Sequence, residues 1–214
     1  MDNLIATAGV IASVLGVVGA LPQLRRTART RDVAGLSLTT VACSAVSDLA
    51  WIAYSLAVDL AISAGAAAAL ALVELTLAAL LAAGLGWPPR PLLIAIVWGA
   101  ALTTVTVAGG WPAMGLMLPL SYGARMAPAV WVAWRTHLPT GISRSCWLVL
   151  LAESGLWAVY GVAHHDRAIT LYAGFGLLAG LAVSARLTVA AERIGRARAG
   201  TAGVAKGELM TLET

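Results

Sequence analysis

Four ionisable residues, Asp48, Glu74, Arg125 and Glu153, stand inside apolar runs long enough to cross a membrane. An acid or base at the centre of a spanning helix costs about 2.5–3.5 kcal/mol on insertion scales, so it usually faces a cavity or a partner. Asp48 precedes Trp51 by three residues and Glu153 precedes Trp157 by four. Both spacings put the acid on the tryptophan's own helix face. An indole can stack on a cation or on the C–H face of a sugar ring. The adjacent carboxylate can take a positive charge or a proton. Arg125 lies ten residues before Arg135, and Glu153 nine after Arg144. At about 1.5 Å per residue the two reach similar depth, which predicts an Arg125–Glu153 ion pair. Asp48 and Glu74 are then left without a basic partner in the membrane. They could carry protons, face a cationic solute, or belong to a polar network that holds the helices in register. Ser44, Ser47, Ser55, Ser121 and Tyr122 are neutral contact candidates, although serines often bond their own helix backbone.

The elements that must position these residues are spanning helices. Of 214 residues, 60% are hydrophobic and 11% charged, against about 25% charged in a soluble domain. Mean hydropathy is +0.86. The chain is expected to be an all-α integral membrane protein. Its net charge of +4 sits in short loops and the tail, so it does not signal nucleic acid. A spanning helix needs about 20 mostly apolar residues, which places helices near 4–23, 38–57, 61–85, 91–109, 113–134, 144–163 and 168–189. Pro88-Pro89, Pro91 and Gly109-Gly110-Trp111-Pro112 mark breaks. Met1-Asp2-Asn3 lacks a positive n-region, so the first run is kept as a permanent helix. Cys43 and Cys146 suggest neither a disulfide framework nor a metal site.

The chain repeats itself at a spacing of 106 residues. Pro22, Arg29-Thr30, Gly35, Ser37, Trp51 and Tyr54 return as Pro128, Arg135-Thr136, Gly141, Ser143, Trp157 and Tyr160. These are turn, charge and aromatic positions rather than interchangeable apolar ones, so the match reads as an internal repeat. Arginines crowd the ends after helices one, three, five and seven, while the other four ends hold only Arg167. The positive-inside rule then puts the N-terminus outside and the C-terminus in the cytoplasm. Both repeats place their basic loop inside and are therefore parallel, which requires an odd number of helices between them. Helix four, uncharged and carrying a Trp98 most simply read as lipid-facing, supplies that inversion. The layout is two parallel three-helix bundles, 1–86 and 112–190, with a linker helix at 87–111 and a tail at 191–214.

The residues Pro22-Gln23, Gly35-Leu36-Ser37, Trp51-x-x-Tyr54 and Trp157-x-x-Tyr160-Gly161 resemble the PQ-loop superfamily and, within it, the SWEET and SemiSWEET sugar transporters. The resemblance covers roughly residues 4–190. It implies a facilitator working by alternating access in a plasma membrane, with a mono- or disaccharide held near the midplane between the bundles. It implies hinges at Pro22, Gln23 and Pro128, where a helix proline either kinks or ends the helix. It implies substrate contact by Trp51 and Trp157, with Asp48, Glu153, Ser47 and Ser55 beside them. Sugar-transporting relatives usually add an asparagine on helix three and on helix seven. Here those positions fall near Ala66 and Ala173, so the amide that suits a sugar hydroxyl is absent from both repeats. The resemblance further implies an outer gate of Tyr54, Asp59, Tyr160, His164 and Asp166, with His164 standing where relatives carry an arginine. A histidine there would make closure depend on pH.

Several other classes remain to be weighed. A retinal protein needs a lysine in its last helix, and the sole lysine, Lys206, lies in the tail. An intramembrane enzyme would need a nucleophile–base pair or a metal set, and neither pattern occurs, so neither catalysis nor a cofactor is expected. A transporter of an amino acid or other cationic solute, proton-coupled or not, stays open, as does a PQ-loop receptor that moves no solute. The expected partners are a small solute and the lipid bilayer. One chain can enclose a complete path, so a homo-oligomer is allowed but not required.

Overall fold

A computed structural model describes residues 2–33, 36–136 and 143–212, with backbone alone for residue 2 and residues 191–212. Gly35 and Gly141 of the repeat, and the side chains of the basic tail, lie outside the described residues. The helices are α1 (Asp2–Thr30), α2 (Leu38–Ala57), α3 (Ala61–Gly84), α4 (Pro89–Arg135), α5 (Arg144–Ala163) and α6 (Arg167–Leu212). Each contains a segment long and apolar enough to cross a membrane. The chain is thus an all-helical, multi-pass membrane protein. Its outer faces carry exposed apolar side chains such as Val10, Leu72, Ile96, Val107 and Leu178, a surface that water would penalise and lipid tails accept.

The expected break at Gly109-Gly110-Trp111-Pro112 falls inside α4. This 47-residue element joins two helical segments across a kink, where the backbone leaves the helical region at Gly110, with φ 69° and ψ −170°. That region is essentially restricted to glycine. Thr106 Oγ1 reaches Met114 Sδ across the bend, 3.2 Å away. Eight residues along a straight helix are about 12 Å apart, so the chain turns back sharply here. The other departures are at helix ends. α1 extends to Thr30 rather than stopping near residue 23, and α6 continues through the tail to Leu212.

The helices pack as a closed ring. α1 lies against α3, α3 against α2, α2 against α4, α4 against α6, α6 against α5, and α5 against α1. In the first bundle the third helix therefore sits between the first and second. Small residues allow this close approach, as is usual between spanning helices. α3 buries Ala64, Ala66, Ala67 and Ala71, and α1 buries Ala8 and Ala12.

The repeat signature now has physical content. Ser37 caps α2 by accepting from the Thr40 N–H at 3.2 Å, and Ser143 caps α5 by accepting from the Cys146 N–H at 3.5 Å. Each satisfies an orphan backbone donor of the first turn. Trp51 and Tyr54 make an edge-to-face pair at 5.7 Å, and Trp157 and Tyr160 repeat it at 5.5 Å. After each pair the chain turns through a left-handed residue, Asp59 (φ 58°) and then His165 (φ 54°), again 106 positions apart.

Candidate functional site

The ring of helices encloses a cavity of about 220 Å³. Trp51, Trp157, Asp48, Glu153, Ala66 and Ser47 line it. Glu74 and Arg125 join them, as do Ser44, Ser121 and Tyr122. Two expected contacts fall elsewhere. Ala173 is fully buried in a core cluster with Trp157 and Ala66. Ser55 is also fully buried, and its hydroxyl bonds that of Ser63 at 2.9 Å. Trp98 is not a lipid-facing aromatic: its indole N–H donates to Ser47 Oγ at 3.0 Å and its ring packs against the core shared by α2 and α4.

The Arg125–Glu153 ion pair does not form, since no nitrogen of the one comes within 4.0 Å of an oxygen of the other. The Arg125 guanidinium instead donates to Ser44 Oγ on α2 and lies 5.5 Å from the Tyr122 ring centroid. No nitrogen of Arg125 comes within 4.0 Å of an oxygen of Asp48 or Glu74 either, so all three cavity carboxylates lack an ion-pair partner among the described residues. The neighbours of Glu153 are the Trp157 indole, one turn along the same helix, and Gly16 of α1. The physical reason is geometric. Residue counting fixes depth along a helix, but not the direction in which that helix faces around the ring. Glu74 Oε2 is buried and has no hydrogen-bond partner.

Among the residues expected at an outer gate, Tyr54 of α2 donates to Asp166 Oδ2, just before α6, at 2.7 Å. Asp166 Oδ1 also accepts the Ile169 N–H at 2.7 Å, which fixes the carboxylate at the start of α6. In repeat register Asp166 corresponds to Leu60. The matching contact is therefore apolar, with Tyr160 and Leu60 in one buried cluster. Of the remaining expected gate residues, His164 stacks on Tyr160 at 4.4 Å and stays exposed, while Asp59 is exposed in its turn and takes no part in the bond.

Pro22 and Pro128 both lie inside their helices, not at their ends. Gln23 donates to Thr27 Oγ1 at 3.2 Å within α1. Two residues escaped the sequence reading. Tyr172 packs edge-on to Trp51 at 5.7 Å and 4.3 Å from Tyr122, forming one wall of the cavity. Arg186 is buried in the middle of α6 and donates to the Thr136 carbonyl at 2.8 Å. The repeat register could have exposed it, because its counterpart is Leu80.

A bundle of membrane-spanning helices thus carries a repeated tryptophan–tyrosine unit around a polar cavity. Two comparisons with known proteins bear on this fold. Residues 4–63 match the family model of the PQ loop repeat. A eukaryotic SWEET transporter, solved at 3.7 Å, superposes with a TM-score of 0.71 over 88% of this chain and 99% of its own, at 15% identity. No curated protein matches the sequence. The chain thus carries a PQ-loop repeat and has a SWEET-like fold.

Proposed function

We propose that this protein is a facilitator that moves a small solute across a plasma membrane by alternating access. Its bundles would be 1–86 and 112–190, joined by the inversion segment 87–111. The observation that carries the reading is the cavity lined by the duplicated Trp51 and Trp157; the Tyr54–Asp166 bond would serve as its outer closure. Pro22 and Pro128, each inside a helix, would let the inner side bend.

Seven crossings follow if α4 crosses twice. At about 1.5 Å per residue, its 47 residues would extend about 70 Å, more than twice the hydrocarbon thickness. Its contacts with α2 support a return at Gly110. Trp98 bonds Ser47, Gly115 packs on the Tyr54 ring, and Arg125 bonds Ser44. Tyr54 stands about 10.5 Å above Ser47 on α2. Trp98 is 12 residues before Gly110 and Gly115 is 5 after it. For a chain that reverses at Gly110, their depths differ by about 10.5 Å, whereas a straight helix would separate them by about 25 Å. With an odd number of crossings the termini lie on opposite sides, and the arginine-rich ends then favour the N-terminus outside and the C-terminus in the cytoplasm.

A mono- or disaccharide is the solute the resemblance implies. A second reading, an amino acid or other amine, is favoured by three carboxylates around one cavity that holds one arginine. A receptor that moves nothing would leave the cavity without a task. Counterflow of labelled glucose into proteoliposomes preloaded with unlabelled glucose tests the first reading. Uptake above protein-free liposomes is expected; its absence from folded protein would transfer the assignment to the amine.

A further inference from the structure

Among the four charges around the cavity, Arg125 bonds Ser44, which stands one turn from Asp48 on the same face of α2. Glu153 stands apart on α5 without a cation in ion-pair reach. Its surroundings are suited to hold one. Gly16 of α1 faces it closely enough that an added Cβ would stand 2.9 Å from Glu153 Oε1, so glycine there leaves the carboxylate its place. Trp157 lies within polar reach on the same face. In repeat register Glu153 corresponds to Ser47 and Gly16 to Tyr122, so this arrangement belongs to one bundle only. A carboxylate withdrawn from water and given no counter-charge calls for a proton or a cation. A tryptophan beside it adds a second attraction for a cation, through the ring quadrupole.

We propose that Glu153 and Trp157 form the subsite for a positively charged nitrogen of the transported solute, and that Glu153 sets a preference for small organic amines and quaternary ammonium compounds. This rests on the transporter reading above and resolves it toward the amine. Asp48 is less suited to the role, because the Arg125 guanidinium is held one turn away at Ser44 and would repel a cation there. The competing chemistry is a protonated Glu153 that donates and accepts hydrogen bonds to a neutral sugar, as an amide would. Substitution by glutamine separates the two, because it keeps shape and hydrogen bonding and removes only the charge.

The test is counterflow of labelled choline, ethanolamine and glucose through the full chain and its E153Q variant in liposomes. The expected result is amine counterflow by the unsubstituted protein that falls at least tenfold in E153Q. Glucose counterflow alone, equal in both proteins, would overturn the amine subsite and leave the transporter reading standing. No counterflow of any of the three by folded protein would overturn the subsite and count against transport as well. Should E153Q fail to give a monodisperse protein, Gly16→Ala replaces it. That change keeps the charge and crowds the carboxylate, so the KM for choline should rise at least tenfold, and an unchanged KM would overturn the proposal.

Discussion

Tyr54→Phe isolates the outer closure. The substitution deletes one hydroxyl and keeps the ring, so the edge-to-face contact with Trp51 and the packing on Met114 and Gly115 remain. What goes is the 2.7 Å bond to Asp166. A hydrogen bond to a charged group contributes about 1.5–3 kcal/mol net. Asp166 keeps its bond from the Ile169 N–H, so the carboxylate is not stranded and the lower end of that range applies. About 1.5 kcal/mol is a little over tenfold in an equilibrium constant. The outward-open population should rise by that factor. With Cys43 and Cys146 replaced and Ala66→Cys placed in the cavity wall, a membrane-impermeant thiol reagent added outside reads this population as a rate. Labelling should be about tenfold faster with Tyr54→Phe than without it. An unchanged rate, in protein of unchanged melting temperature, would remove the Tyr54–Asp166 bond from outer closure.

The remaining predictions concern the bend, the charges and the stacking face. Gly110→Ala forces a side chain into a backbone region reserved for glycine and should cost about 1–3 kcal/mol; an unaltered midpoint of thermal unfolding in detergent would mean that the α4 bend relaxes freely. A double-mutant cycle of Arg125→Met and Glu153→Gln should show coupling below about 0.5 kcal/mol, since the two groups do not pair; a larger coupling would restore the ion pair. Trp157 is buried, and truncation to alanine would cost about 3–5 kcal/mol of stability. Trp157→Phe is therefore the cleaner probe: it should keep the fold and lower transport at least tenfold, and normal transport would dismiss stacking on this ring.

The duplicated features were legible because they depend on local chemistry. Ser37 and Ser143 cap helices through their own side chains, and Trp51–Tyr54 and Trp157–Tyr160 pair within one turn of a single helix. Neither needs a neighbouring helix to be predicted. That Asp48 shares a face with Trp51, and Glu153 with Trp157, also followed from helical period, and all four line the cavity. Ser55 and Ala173 are instead covered by packed neighbours, Ser63 and the cluster around Trp157, which one chain segment cannot foretell. Tyr172 passed unnoticed beside Ala173 for the same reason, since one residue along the helix turns the side chain from the core to the cavity wall.

By itself the sequence determined membrane character, the 106-residue repeat and the depth of each charge, because hydropathy and helical rise are properties of one chain segment. Tertiary structure alone decided how those charges are shared. α3 lies between α1 and α2, and α4 packs against α2 and α6. That order turns Arg125 toward Ser44 and Glu153 toward Gly16. Depth is a single coordinate that can be counted along a helix. The direction a side chain faces around a ring of helices depends on which helices are neighbours, and only packing sets that.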